Sequence, residues 1–196
     1  LSVVENSDRA LLSATGEYAT FIGDDDIFSK YIIDFIKQAK DKDIDAILPV
    51  KSSYTWPDVK PRLYGEKLSG KFIETEITGT IEYLDVNFIL DKVLQQGGTN
   101  ILNLPRLNHG VVKHEILLKV KQKTGSFFPG PSPDMANAVA LCKYVKSYIE
   151  VDIPLIISGH SGTSAGGQGA KGKHFGEIAE VSHLPKNTAS DWSQSV

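Results

Sequence analysis

The chain is poor in sulfur and lacks any long apolar run. A single cysteine, Cys142, among 196 residues excludes an internal disulfide and any metal site built from several thiolates, and it fits a reducing compartment. No stretch approaches the ~20 apolar residues that a membrane-crossing helix needs, and no signal-peptide pattern is present. The expectation is a cytoplasmic chain with no transmembrane segment. A positive surplus is missing as well: 21 Lys and Arg stand against 24 Asp and Glu, for a net charge of −3. The lysines are scattered, so nucleic acid is not an expected partner. The histidines His109, His114, His160, His174 and His183 lack the spacing of a zinc helix. What is present is 41% hydrophobic and 23% charged, enough apolar material for one core, and residues 1–196 are read as a single domain.

The stretch that organises the rest is Tyr18-Ala-Thr-Phe-Ile-Gly-Asp-Asp-Asp26. A β-branched and aromatic run stops at Gly23 and delivers three consecutive carboxylates, which reads as a buried strand presenting acid at its end. Adjacent carboxylates repel by roughly 3 kcal/mol per pair at ~5 Å and an effective dielectric of ~20. A hard divalent cation held by one or two of them would relieve that repulsion. The plainer alternative is a solvated first helical turn, where negative charge suits the dipole. The strand, glycine turn and clustered acids together favour a ligand site, because ligands of open α/β sheets gather at the carboxyl ends of strands.

Around this stretch the pattern alternates. Helical spacing covers Val3 to Thr15 with Gly16 as a stop. After the acids, Ser29 is placed to cap a helix reaching about Lys42, and Ile44 to Val50 reads as a second strand ended by Pro49. The alternation predicts an α/β layer with a mainly parallel sheet flanked by helices. Lys51 to Gly70, with Tyr54, Trp56 and Tyr64, reads as a long aromatic-rich loop able to stack on a sugar or base ring. Phe72 to Tyr83 predicts one strand or a hairpin around Gly79, Leu84 to Gln96 a helix, and Ile101 to Leu104 a short strand. Asn108-His109-Gly110 makes a turn, and Lys113 to Lys123 a helix closed by Gly125. In Gly-Pro-Ser-Pro-Asp134, Ser132 is a cap, Pro133 the first helical position and Asp134 part of the first turn of a helix running to about Ile149. Pro154 to Ser158 is a last apolar strand. Residues 159–196, rich in Gly, Ser, Ala and Lys, read as a flexible or irregular tail.

Two motifs invite a function and fall short of it. Gly159-His-Ser-Gly-Thr163 resembles a hydrolase nucleophile elbow, but Thr163 replaces the last glycine, and the acid and histidine that should follow Ser161 are not suitably spaced. Gly167 to His174 fits a phosphate-binding loop up to its last position, where His replaces the Ser or Thr that should meet Mg²⁺. His160 is retained as a candidate because it follows a strand end as the acids do. Asp134 divides evenly between complementing a helix dipole and serving as a general base fixed by a proline-stiffened loop.

Asn-Ser-Asp-Arg-Ala-Leu at Asn6 to Leu11, followed by Ala-Thr-Gly-Glu-Tyr-Ala-Thr-Phe-Ile-Gly-Asp-Asp-Asp, resembles a passage of the family 2 glycosyltransferases of GT-A fold. The likeness continues through a helix, a strand, a variable loop and a His-Gly turn to Gly-Pro-Ser-Pro-Asp134, where that family often has Gly-Glu-Asp at the head of a helix. It spans roughly Asn6 to Ser158. It implies an inverting glycosyltransferase that moves a sugar from a nucleotide-diphosphate-sugar donor to a hydroxyl of a glycan or lipid-linked acceptor in polysaccharide biosynthesis. Mn²⁺ or Mg²⁺ would bridge the donor phosphates to the acidic cluster, with Asp25 and Asp26 as metal ligands and Asp24 as a further donor-binding position. Asp134 would deprotonate the acceptor. Only 17 residues precede the strand, whereas a βαβ unit alone needs more than ~30. The chain is therefore expected to be the C-terminal part of such a domain, its GT-A-like sheet incomplete, and a homo-oligomer is among the expected partners. The rival reading is a non-catalytic carbohydrate- or nucleotide-binding module that uses the aromatics around Trp56.

Overall fold

A computed structural model describes residues 1–59, 69–164 and 184–188 of the chain. Among these residues, helices on both faces flank one mixed sheet of seven strands. In chain order the elements are α1 (Val3–Leu12), β1 (Tyr18–Thr20), β2 (Ile27–Phe28), α2 (Ile32–Asp41), β3 (Ala46–Thr55), β4 (Phe72–Ile73), β5 (Ile81–Tyr83), α3 (Val86–Gln95), β6 (Val111–Lys113), α4 (His114–Thr124), α5 (Pro133–Cys142) and β7 (Tyr148–His160). The strand order is β1-β6-β3-β7-β2, with β4 paired to β3 and β5 to β7.

Strand alternation divides the core in two. Ala46, Leu48, Val112 and Tyr148 face one way and pack with Val4, Leu11, Val93, Leu117, Leu141 and others of α1, α3, α4 and α5. Their neighbours Ile47, Val111 and Ile149 face the other way and pack against Ile32 and Ala39 of α2. A side-chain period of 2 along each strand produces this division, and burial on both faces explains why the strands read as continuous apolar runs.

The sheet is not mainly parallel. Among the described strands only β3 with β7 is parallel; the other five pairings are antiparallel. The helix and strand alternation of the first fifty residues places β1 and β3 in one sheet, but β6 lies between them, antiparallel to both. β6 is the strand that the sequence hides, because its three residues run directly into α4. The stretch Ile101 to Leu104 forms no strand. The last helix ends at Cys142 rather than near Ile149, and β7 takes the following residues. Neither Pro49 nor Pro154 ends a strand: β3 and β7 run through both. Their register shifts there, from Pro49 opposite Val151 to Lys51 opposite Ile156, as residues without an N–H to give the ladder require. β4 and β5 do not form a hairpin with each other; Gly79, at φ +74°, turns the chain between them.

Two expected helix ends, Gly125 after α4 and Pro133 at the start of α5, are found, and α1 has a reciprocal cap besides. Ser2 Oγ accepts from Glu5 N at 3.1 Å while Glu5 Oε2 accepts from Ser2 N at 2.6 Å, a reciprocal cap. Gly125 closes α4 in the left-handed conformation. Pro133 opens α5, although Ser132 at its cap position makes no side-chain hydrogen bond. The expected cap at Ser29 is displaced: α2 starts at Ile32, with Tyr31 in the cap position. Lys51 to Thr55 of the expected aromatic loop belong to β3; residues 60–68 of that expected loop, and residues 165–183 and 189–196 of the expected tail, including the Gly167 to His174 motif, lie outside the described residues.

Candidate functional site

The end of β1 is steered by a neighbouring loop. Phe21 N donates to Leu107 O at 3.1 Å and His109 N donates to Phe21 O at 3.0 Å, so the chain beyond β1 runs alongside residues 107–109 and carries the acids to His109. Asp26 then folds back. Its Oδ2 accepts from Gly23 N at 2.7 Å and from His109 Nε2 at 2.7 Å, and its Oδ1 accepts from Gly159 N at 2.7 Å. The Asp26 side chain is only 4% exposed and that of His109 15%. Burial pushes the Asp26 pKa up, but the hydrogen bonds from His109, Gly159 and Gly23 outweigh it, holding Asp26 below the usual carboxylate range.

The segment that resembles a nucleophile elbow supplies this support. Gly159 packs so closely on the acidic turn that a Cβ would stand 1.7 Å from Asp25 O, so only glycine fits. Two residues on, Ser161 N donates to Asp25 Oδ2 at 2.9 Å. The Ser161 hydroxyl is itself used locally, accepting from Ser164 N at 3.1 Å. Backbone N–H groups and one imidazole therefore relieve much of the repulsion for which the sequence suggested a cation.

Asp24, Asp25, Asp26 and Asp134 line one cleft of about 680 Å³, together with Lys51, Arg106, Asn108, His109 and His160. The sequence singled out the four carboxylates and His160, and the fold brings them together. Asp134 reaches the cleft from the first turn of α5, where Asn108 Nδ2 approaches its Oδ2 at 3.4 Å. Its helix is tied down by a residue that the sequence analysis passed over. Asn137, buried, accepts from Leu107 N at 3.0 Å and donates to Phe127 O at 2.9 Å. The loop that carries His109 and the loop before α5 are thus pinned to the helix that carries Asp134.

Lys51, Arg106 and the bridging role of His109 were also missed. Lys51 Nζ lies 3.1 Å from His109 Nδ1. An ammonium only donates, so Nδ1 accepts and the imidazole proton sits on Nε2, where it donates to Asp26. Desolvation pushes the Lys51 pKa down, with repulsion from Arg106 next, while Asp26 and Asp134 pull it up. Arg106 Nη2 donates to Leu102 O at 2.5 Å, and burial lowers its pKa too. One signal was available: Lys51 follows an apolar run just as the acids do. His109 adopts φ +58°, a conformation that histidine tolerates better than most residues.

Among the described residues no group of three or more His, Cys, Asp or Glu could hold a metal ion. A cation here would take one or two carboxylates from the chain and complete its shell with substrate and water, as Mg²⁺ commonly does. Asp24 is exposed and makes no hydrogen bond or ion pair among the described residues, and the one hydrogen bond that the Asp25 carboxylate accepts falls on Oδ2. Both fit such a cation. Asp26, with both oxygens engaged inside the protein, does not. Trp56 is also used structurally: its Nε1 donates to Asp25 O at 3.2 Å, and its ring meets Tyr54 edge to face.

Fold and site together define a mixed α/β protein with a sheet-end cleft in which carboxylates face two cations. No protein-family model matches the chain, and no curated protein matches it in sequence. Among the described residues no helix is long and apolar enough to cross a membrane.

Proposed function

We propose that the cleft is the site of an inverting glycosyl transfer from a nucleotide-diphosphate sugar to an acceptor hydroxyl, in a GT-A-like fold. The observation that carries this reading is the convergence of Asp134 and the acidic turn on one cleft. The reaction needs a carboxylate to take the acceptor proton and a separate centre to receive the negative charge of the departing diphosphate. Asp134 is exposed to the cleft at the head of a proline-started helix and suits the base. Asp24 and Asp25 would hold Mn²⁺ or Mg²⁺, whose charge would neutralise the diphosphate. Asp26 changes role from the ligand expected of it to the strut that holds the turn. The alternative, a non-catalytic carbohydrate- or nucleotide-binding module using the aromatics around Trp56, is less favoured because the Trp56 indole N–H is engaged with Asp25. Polysaccharide biosynthesis as the setting rests on the sequence resemblance alone.

The test is transfer from a panel of nucleotide sugars to saccharide acceptors by the wild type and by Asp134→Asn. Loss of transfer by about 10²-fold or more with nucleotide affinity retained is the expected result. Equal transfer by both proteins would remove Asp134 from the role of base.

A further inference from the structure

Lys51 and Arg106 line the cleft, and the protein holds both without neutralising either. Lys51 is oriented by an uncharged imidazole nitrogen and Arg106 by a backbone carbonyl. Among the described residues no carboxylate lies within 4.0 Å of either cation. Arg106 Nε is buried with no hydrogen-bond partner. Two like charges that repel each other, one of them a half-buried guanidinium, are costly unless something anionic joins them. Asp134 and Asp26 act on Lys51 only at longer range, and Asp26 is already engaged with His109. The Asp26–His109–Lys51 chain of contacts fixes the ammonium in place, and a guanidinium anchored through one nitrogen keeps other donors in the planar arrangement that matches phosphate oxygens.

We propose that Lys51 and Arg106 form a phosphoryl-binding site, through which the chain grips a substrate phosphate directly and without a metal ion. His109 is its positioning residue. The inference rests on the transfer reading, since it concerns the same cleft. The phosphoryl group belongs either to the donor diphosphate or to a phosphate on the acceptor, and both present the same oxygens.

The experiment is calorimetric titration of pyrophosphate, in the presence of a chelator, into the wild type, Lys51→Met and Arg106→Gln. Binding by the wild type that weakens by about tenfold or more in each variant is expected. Lys51→Met alters an exposed side chain, so it remains informative if Arg106→Gln fails to fold. Repeating the titration without the chelator, on protein saturated with UDP and Mn²⁺ and against a protein-free blank, separates the two sources. Loss of the pyrophosphate signal assigns the site to the donor diphosphate, and a retained signal assigns it to the acceptor. No binding by the wild type, or equal binding by the variants, overturns the inference. If UDP binds with Mn²⁺ while pyrophosphate fails to bind in the presence of the chelator, or binds equally to the variants, the inference falls and the transfer reading stands. If pyrophosphate binds through Lys51 and Arg106 but no nucleotide sugar is ever turned over, the inference stands and the transfer reading falls.

Discussion

His109 Nε2 stands 2.7 Å from Asp26 Oδ2, and this contact joins two halves of the site that are far apart in sequence. One half is the acidic turn after β1; the other is the loop that hands its backbone to Phe21 and its Leu107 N–H to Asn137. Substituting Asp26 therefore tests the framework rather than the chemistry. Asp26→Asn is expected to destabilise the protein by about 1–3 kcal/mol, because buried donors lose a charged acceptor, and urea unfolding measures it. The pH dependence follows from the lowered pKa. The Asp26 contribution is complete above the unfolded-state value near 3.8 and is lost as pH falls from there through the lower folded-state value. Acid unfolding of the variant should lack that component. An unchanged stability would show that the turn holds without Asp26.

Asn137 is expected to matter to Asp134 without touching substrate. Asn137→Ala leaves Leu107 N–H and Phe127 C=O buried and unpaired, at a cost of about 1–3 kcal/mol in urea unfolding. Asn137→Leu, which removes the same bonds and adds bulk, should cost no less. If either variant matched the wild type, Asn137 would not be the tie between α5 and the His109 loop.

Lys113 joins two carboxylates of unequal worth. Asp45 is 14% exposed and accepts from Lys113 and from the N–H groups of Lys146 and Ser147, whereas Asp43, also paired with Lys113, is 93% exposed. Asp45→Asn should cost about 1–3 kcal/mol and Asp43→Asn no more than about 0.5 kcal/mol. Desolvation of Lys113 works against its charge, but the hydrogen bonds to Asp43 and Asp45 dominate and raise its pKa. Its contribution is therefore full below the unfolded-state value near 10.5 and is lost as pH rises through the higher folded-state value. Equal costs at the two aspartates would contradict this division.

The helices and the acidic turn were legible because they rest on local chemistry: the spacing of α2, the glycine after α4, the proline that opens α5 and the acids after an apolar strand. The sheet was less so, since pairing depends on partners remote in sequence. β6 is three residues long, and its place between β1 and β3 leaves no local trace. The carboxylates of the cleft could be named from sequence, but their division of labour could not. Nothing local distinguishes Asp24 from Asp26; the difference lies in Gly159 and His109, which reach Asp26 across the fold. Asn137 is one polar residue within a largely apolar helix, with no local mark of its two distant partners, and Lys51 reads as the start of a loop.

The most direct test of the transfer site is calorimetric titration of UDP, GDP and the deoxythymidine diphosphate, each with and without Mn²⁺, on the wild type and on Asp24→Ala plus Asp25→Ala. One nucleotide should bind about tenfold or more tightly when Mn²⁺ is present, and that gain should vanish in the double variant. Failure of all three nucleotides to bind, or a Mn²⁺ gain that survives the loss of both carboxylates, would contradict a donor-phosphate site at the acidic turn.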